Sequence, residues 1–271
     1  MPTPPPTIAV SFDHARQHGQ AEELACVLNL PVSKKFNDPH LLHLAIAEDQ
    51  SRSGTRLELR VVEAGHPLSG GHGVSADLTQ LDTTSPAGRS LKTPLLKAIG
   101  IHKRHGRERP RVLDTTAGLG EDAWLLAAAG CRVTAVERHP VIHALLEDAL
   151  RRAGKTAPDV AGRITLMPCT DAATVLREST ETQGFEVVLI DPMFPGAERR
   201  KTTERKPMRV LRWLVGDDAD ADHLLDLALK TATKRVVVKR PKAAPHLAGV
   251  EPVAVHAGRG LRFEVYPAVR D

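Results

Sequence analysis

From about residue 86 onward, short runs of β-branched residues alternate with helix-length amphipathic stretches, and that alternation leaves few folds open. Residues 111–114, 132–136, 164–167, 187–190 and 235–239 read as strands. Residues 122–129, 140–153, 172–177 and 219–231 read as helices between them. The run Val187-Val-Leu-Ile190 is apolar at every position, the pattern of a strand buried on both faces. Strands joined in series by helices require right-handed crossovers, so the sheet is expected to be mainly parallel. Residues 253–256 and 262–266 are expected to close it with an antiparallel hairpin turning at Gly258-Arg259-Gly260. The first 85 residues have a different texture: a strand over 7–11, a helix over 14–28, alternating Leu57, Leu59 and Val61, and a glycine-rich turn region over 65–73. The expected organisation is a small N-terminal α+β domain over 1–85 and an α/β domain over 86–271.

Hydrophobic residues make up 41% of the 271, enough for a sizeable core. The three cysteines, Cys26, Cys131 and Cys169, are far apart and odd in number, which argues against a disulfide framework or a zinc site. No basic n-region with an apolar h-region opens the chain, and no run reaches the roughly 18 apolar residues of a membrane span. A reducing, cytoplasmic setting is expected, with no membrane and no metal. The net charge of +4 permits a nucleic-acid partner without requiring one.

The strongest local signal is Asp114-Thr-Thr-Ala-Gly118-Leu-Gly120-Glu121-Asp122, between a strand and a helix. Gly118 and Gly120 allow a tight turn and close approach of a ligand to the backbone, and the helix start presents unpaired N–H groups. Glu137, at the end of the next strand, can accept from both hydroxyls of a ribose. Gly118-x-Gly120-x-x-Ala123 with Glu137 also fits a dinucleotide fingerprint. The acids separate the two: a pyrophosphate sits badly beside Asp114, Glu121 and Asp122, whereas S-adenosylmethionine carries a sulfonium and an ammonium. Thr170-Asp171, after the third strand, is a further candidate contact, to an adenine amino group, although Asp171 also suits a helix N-cap.

The fourth strand ends in Asp191-Pro192-Met-Phe194-Pro195. The lone pair of an exocyclic base amine is delocalised into its ring, so methylating it needs acceptors that hold the amine while the nitrogen pyramidalises. Asp191 is the candidate side-chain acceptor, the Pro192 carbonyl the backbone acceptor, and Phe194 the ring that stacks on the base. The segment resembles the (D/N)PP(Y/F) motif of amino-methyltransferases, with Met193 replacing the second proline. Next comes a basic segment, Arg199, Arg200, Lys201, Arg205, Lys206, Arg209 and Arg212, interrupted only by Glu204. It is a candidate surface for RNA phosphate, which Lys234, Lys239 and Arg240 could extend. Asp217, Asp218, Asp220 and Asp222 lack the glycine and terminal glutamate of a calcium loop and read as helix caps.

Taken together, Asp114-Thr-Thr-Ala-Gly-Leu-Gly-Glu-Asp-Ala, Val136-Glu-Arg-His-Pro140, Asp191-Pro-Met-Phe-Pro195, Met208-Arg-Val, Leu214-Val-Gly and Ala232-Thr-Lys-Arg-Val-Val-Val-Lys-Arg-Pro241 resemble the ribosomal RNA small subunit methyltransferase J family over about residues 110–266. The resemblance implies a Rossmann-like class I S-adenosylmethionine-dependent methyltransferase fold, with residues 86–271 as the catalytic domain. It implies methyl transfer to the exocyclic N2 of a guanosine in 16S rRNA, and rRNA or the 30S subunit as partner. It also implies cofactor contacts at Glu121-Asp122, Glu137-Arg138, Thr170-Asp171 and Asp191. The chain departs from the family pattern at Glu121, where arginine is usual, and at Thr170-Asp171, where serines are. Three alternatives stay open at this point: an amino-methyltransferase acting on DNA or a protein amide, an NAD-linked oxidoreductase, and a non-catalytic RNA-binding protein.

Overall fold

The computed structural model describes residues 6–33, 40–49, 54–63, 65–85, 88, 90–101, 109–179, 184–193, 206–216 and 220–269. In chain order the elements are β1 (Ile8–Phe12), α1 (His18–Leu28), β2 (Leu42–Glu48), β3 (Thr55–Val61), α2 (Pro94–Ile99), β4 (Arg111–Asp114), α3 (Glu121–Ala128), β5 (Arg132–Ala135) and α4 (Pro140–Gly154). They continue with α5 (Pro158–Ala161), β6 (Ile164–Leu166), α6 (Ala172–Ser179), β7 (Val187–Ile190), α7 (Lys206–Val215), α8 (Ala221–Thr231), β8 (Arg235–Pro241), β9 (Ala254–Ala257) and β10 (Leu261–Pro267). Among the described residues no helix is long and apolar enough to cross a membrane. The chain forms two compact units, one of residues 1–76, 140–152 and 193–217, the other of residues 77–139, 153–192 and 218–271.

The first unit holds a three-stranded sheet in the order β1-β2-β3, parallel between β1 and β2 and antiparallel between β2 and β3. The expected strand over 7–11, helix over 14–28 and strand at 57–61 all form. β2 is an addition: residues 42–47 are all buried, as a central strand requires. α1 lays Ala21 and Ala25 against Val10 and Ile46. The stretch read only as basic becomes, over Lys206–Val215, an amphipathic helix that buries Val210, Leu211 and Leu214. Trp213 stacks on His66, with ring centroids 4.6 Å apart and planes at 11°. Lys206 Nζ donates to the Gly70 and His72 carbonyls at 2.5 and 3.1 Å. Asp148 of α4 accepts from the Leu57 backbone N–H at 3.1 Å and pairs with Arg152 Nε at 2.7 Å.

The second unit holds a seven-stranded sheet in the order β6-β5-β4-β7-β8-β10-β9. Pairings from β6 to β8 are parallel, and β10 runs antiparallel to both β8 and β9, so the expected closing hairpin forms. Successive strand residues enter opposite cores. Val112, Val187, Leu189, Val237, Phe263 and Val265 pack with α2 and α3. Leu113, Val188, Ile190, Val236, Val238 and Tyr266 pack with α6 and α8. Fully burying each such aliphatic side chain stabilises the fold by about 1.5–3 kcal/mol, which is why β4 and β7 carry only apolar residues between their ends. α2 has clear local causes: Thr93 Oγ accepts from Leu96 N–H at 3.3 Å, Pro94 fills the first turn, and Gly100 ends it in the left-handed region. The chain leaves β4 toward β5 and β6 on one side and resumes at β7 and β8 on the other. That switch point, at the carboxyl tips of β4 and β7, is where open α/β sheets hold ligands.

Candidate active site

The polar features of the site gather at the carboxyl ends of the strands and at the helix starts that follow them. Thr115, just past β4, donates to the Leu189 carbonyl from its N–H at 3.0 Å and from Oγ at 2.8 Å. Ala117 N–H reaches the Val136 carbonyl at 2.9 Å on the other side. The loop after β4 is thereby held between its two neighbouring strands. It then turns through Gly118 (φ +54°) and Gly120 (φ +82°), conformations that cost a residue with a Cβ, before α3 starts at Glu121. Glu121 is exposed.

Glu137, only 8% exposed, follows β5 by two residues. Its Oε2 accepts from Gly118 N–H at 3.0 Å and its Oε1 from His139 N–H at 2.8 Å. The acid and the turn expected to share a ligand are thus directly bonded. Arg138 Nη1 lies 2.7 Å from Asp220 and 3.8 Å from Asp171. Asp171 Oδ1 accepts from Ala173 N–H at 2.7 Å, so it caps α6, and Thr170 stands beside it half-buried. Asp220, expected as a helix cap, occupies the N-cap position of α8 but makes no side-chain cap bond; its carboxylate is turned to Arg138 instead. Asp217 and Asp218 lie outside the described residues.

Asp191 follows β7 directly. Its backbone N–H donates to Thr116 Oγ at 2.7 Å, tying it to the loop that carries Gly118. Its Oδ2 lies 2.9 Å from Lys239 Nζ, and the same ammonium lies 2.8 Å from Asp122 Oδ2 in the first turn of α3. Asp191, Lys239, Asp122 and the glycine turn form one constellation at the tips of β4, β7 and β8. Asp114 sits beneath it, 2% exposed. Burial, with further repulsion from Asp122 and Asp191, pushes the Asp114 carboxyl up to about 8. Burial opposes the charge on Lys239, but Asp191 and Asp122 outweigh it and raise its affinity for the proton. Pro192 is buried next to Asp191, while Phe194, Arg199, Arg200, Lys201 and Arg205 lie outside the described residues.

Lys234, Lys239 and Arg240, expected to extend the basic surface, each meet a partner of their own. Lys234 pairs with Glu186, Lys239 with the two site acids, and Arg240, 5% exposed, donates to the Pro245 carbonyl. Lysine and arginine at the end of a buried strand met partners there instead of solvent, because an uncompensated charge at such a position is costly. Lys239 and Thr116 are the site residues that sequence reasoning missed. The available signal for Lys239 was a cation directly ending an apolar run at the ligand edge of a parallel sheet.

With the carboxylates of Asp122, Glu137 and Asp191 at the strand tips, and with Lys239 and Arg138 already paired to acids, the site suits a ligand with cationic groups and a diol, and is unsuited to a pyrophosphate. Comparisons with known proteins agree. The family model for SAM-dependent methyltransferases matches residues 41–268. The chain is 40% identical to ribosomal RNA small subunit methyltransferase J of Nitrosococcus oceani over 95% of this chain and 97% of that one. It is 39% identical to the protein of the same name from Thioalkalivibrio sulfidiphilus over 96% and 97%. The crystal structure of a SAM-dependent methyltransferase from Neisseria gonorrhoeae superposes with a TM-score of 0.66 at 30% identity, covering 97% of this chain and 96% of that one. A Rossmann-like sheet with these relatives makes S-adenosylmethionine the cofactor and excludes the NAD-linked reading, and the chain belongs to the SAM-dependent methyltransferase family that includes the ribosomal RNA small subunit methyltransferase J proteins.

Proposed function

We propose that this enzyme transfers a methyl group to the exocyclic N2 of a guanosine in small-subunit ribosomal RNA, with the cofactor held along the tips of β4, β5 and β6 and the base beside β7. The observation that carries the reading is the bond from Asp191 N–H to Thr116 Oγ, which sets an acid–proline tip against the glycine turn. Glu137 is suited to hold the ribose hydroxyls, Thr170-Asp171 the adenine, and Asp114, Glu121, Asp122 and Arg138 the remaining polar groups around Gly118 and Gly120. Bound S-adenosylmethionine would supply an electrophilic methyl group on a sulfonium that can depart as a neutral thioether. Asp191 and the Pro192 carbonyl accept the two amine hydrogens and so draw the lone pair out of conjugation. The proton that the nitrogen then sheds passes to the Asp191 carboxylate, since an N-protonated aryl amine is a far stronger acid than a carboxyl group. Phe194 stacks on the base, which must be splayed out of a folded RNA to reach it. Fixing donor and acceptor in line supplies much of the rate.

The basic segment Arg199, Arg200, Lys201, Arg205, Lys206 and Arg209 is the surface we assign to rRNA phosphate, and residues 1–85 to a small accessory domain. A ribosomal substrate is consistent with a cytoplasmic protein. The test is methyl transfer from labelled cofactor to undermethylated 30S subunits, naked 16S rRNA and duplex DNA, with mass analysis of the product nucleosides. N2-methylguanosine in the RNA or subunit lanes alone is expected. Label in DNA, or in protein with unmodified rRNA, would move the acceptor to the alternative class.

A further inference from the structure

The parallel register between β7 and β8 pairs Ile190 with Val238. One step beyond it, Asp191 and Lys239 stand side by side at adjacent strand tips. The Lys239 ammonium is 2.9 Å from Asp191 Oδ2 and 2.8 Å from Asp122 Oδ2, with its side chain 19% exposed and those of Asp191 and Asp122 35% and 18% exposed. Two of its three donors are thus directed at acids on different elements, one on the β7 tip and one on the first turn of α3. The titratable groups that meet here are Asp114 from β4, whose burial favours its neutral form, Asp122 from α3, Asp191 beyond β7 and Lys239 from β8, three carboxyl groups around one cation.

We propose that Lys239 is a positioning residue for methyl transfer, holding the Asp191 carboxylate ionised and in a fixed orientation against the cofactor helix. The proposal rests on Asp191 being the amine acceptor. Only the ionised carboxylate can take the proton that the amine sheds, and it is also the stronger acceptor; Asp191 is crowded by two other acids in a half-buried place. Left alone, such a cluster favours protonation, and a protonated Asp191 is a weaker acceptor with no capacity for the amine proton. Lys239 prevents that by supplying the opposite charge at contact distance. Its length also matters. The ammonium reaches both acids at once, so Asp191 is referenced to the helix whose N-terminus lines the cofactor site, as well as to the Thr116 hydroxyl that takes its backbone N–H. Asp191 remains basic enough for its task, because the proton it receives comes from a nitrogen that is acidic in its methylated, cationic form. A lysine that merely stapled β8 to α3 would contribute to stability and leave the proton equilibrium of the reaction untouched.

The kcat–pH profile for methyl transfer to undermethylated 16S rRNA separates the two. For Lys239→Met the acid limb is expected to move up by about 1–3 pH units, the range set by loss of one opposite charge within 4–6 Å, with activity recovering as pH rises. Lys239→Arg, which restores the charge, is expected to return the limb toward its wild-type position. An acid limb that stays in place in Lys239→Met, whether activity is full or uniformly reduced, would overturn the proposal. Should Lys239→Met fail to fold, Lys239→Gln carries the same expectation, since it keeps a hydrogen-bond donor and loses the charge. Asp191→Asn is measured in parallel. Near-normal turnover in that variant removes the amine-acceptor reading itself, whereas an inactive Asp191→Asn with an unmoved limb in Lys239→Met removes only the role of Lys239.

Discussion

Asp114→Asn should change how the stability of this protein depends on pH, and by an amount set by one buried carboxyl group. Asp114 is 2% exposed, and burial together with Asp122 and Asp191 lifts its carboxyl from the ordinary 3.8 to about 8. Between those two values the folded chain keeps a proton that the unfolded chain has lost. The neutral carboxyl therefore contributes fully below the unfolded value, and the contribution falls as pH rises toward the folded one. Each unit of pH in that window removes about 1.36 kcal/mol, so from pH 5 to pH 8 the wild type loses about 3–4 kcal/mol through this group. Asparagine keeps the acceptor that Asp114 Oδ1 offers to Thr116 N–H at 3.3 Å and carries no proton to lose. The assay is urea unfolding of wild type and Asp114→Asn without cofactor at pH 5 and pH 8, taking the difference of differences so that the other titrating groups cancel. The variant should gain on the wild type as pH rises. A difference that stays flat across the window would mean that Asp114 is ionised in the fold, and the electrostatic reading of the site would fail with it.

Glu137→Gln should weaken S-adenosylhomocysteine binding about tenfold by calorimetry, because it replaces a charge-assisted acceptor with a neutral one; unchanged affinity would remove Glu137 from the ribose site. Gly118→Ala should cost about 1–2 kcal/mol in urea unfolding, since φ is +54° there and an added Cβ meets only the Thr116 carbonyl oxygen, at 3.9 Å. Glu264 is fully buried and accepts from Arg262, His246 and Tyr266, so Glu264→Ala should cost about 3–5 kcal/mol in the same assay by leaving buried donors unmatched. Phe194→Ala should reduce methyl transfer far more than Phe194→Tyr; equal losses would argue against stacking.

The sheet of the second unit was legible because its strands are buried on both faces and punctuated by glycine, proline and acids at their tips. Each run from residue 111 to 266 that looked like a strand is one. Four elements escaped: the short helices α2 and α5, and, for opposite reasons, β2 and α7. β2 reads Leu42-His-Leu-Ala-Ile-Ala-Glu48, an alanine-rich run with no alternation, since as the middle strand of its sheet it is covered throughout. α7 was hidden by its charge: Lys206, Arg209 and Arg212 continue the basic run before it, while the buried stripe of Val210, Leu211 and Leu214 that makes it a helix is narrow. In the site, Asp114, Gly118, Gly120, Glu137 and Asp191 could be placed from spacing alone, because each ends or follows a recognisable strand. Lys239 could not be matched to Asp191 and Asp122, since that pairing depends on the order of strands in the sheet. Sequence proximity suggested a basic surface; the register of β7 and β8 gave an ion pair.

Whether the acid at the β7 tip acts on the acceptor amine is reached most directly by one paired measurement: single-turnover methyl transfer to undermethylated 16S rRNA by Asp191→Ala, with S-adenosylhomocysteine affinity measured on the same preparation. Loss of about 100-fold or more in transfer, on the scale of removing one group that acts in the transition state, with most of the affinity retained, is the predicted result. Transfer near the wild-type rate would contradict it.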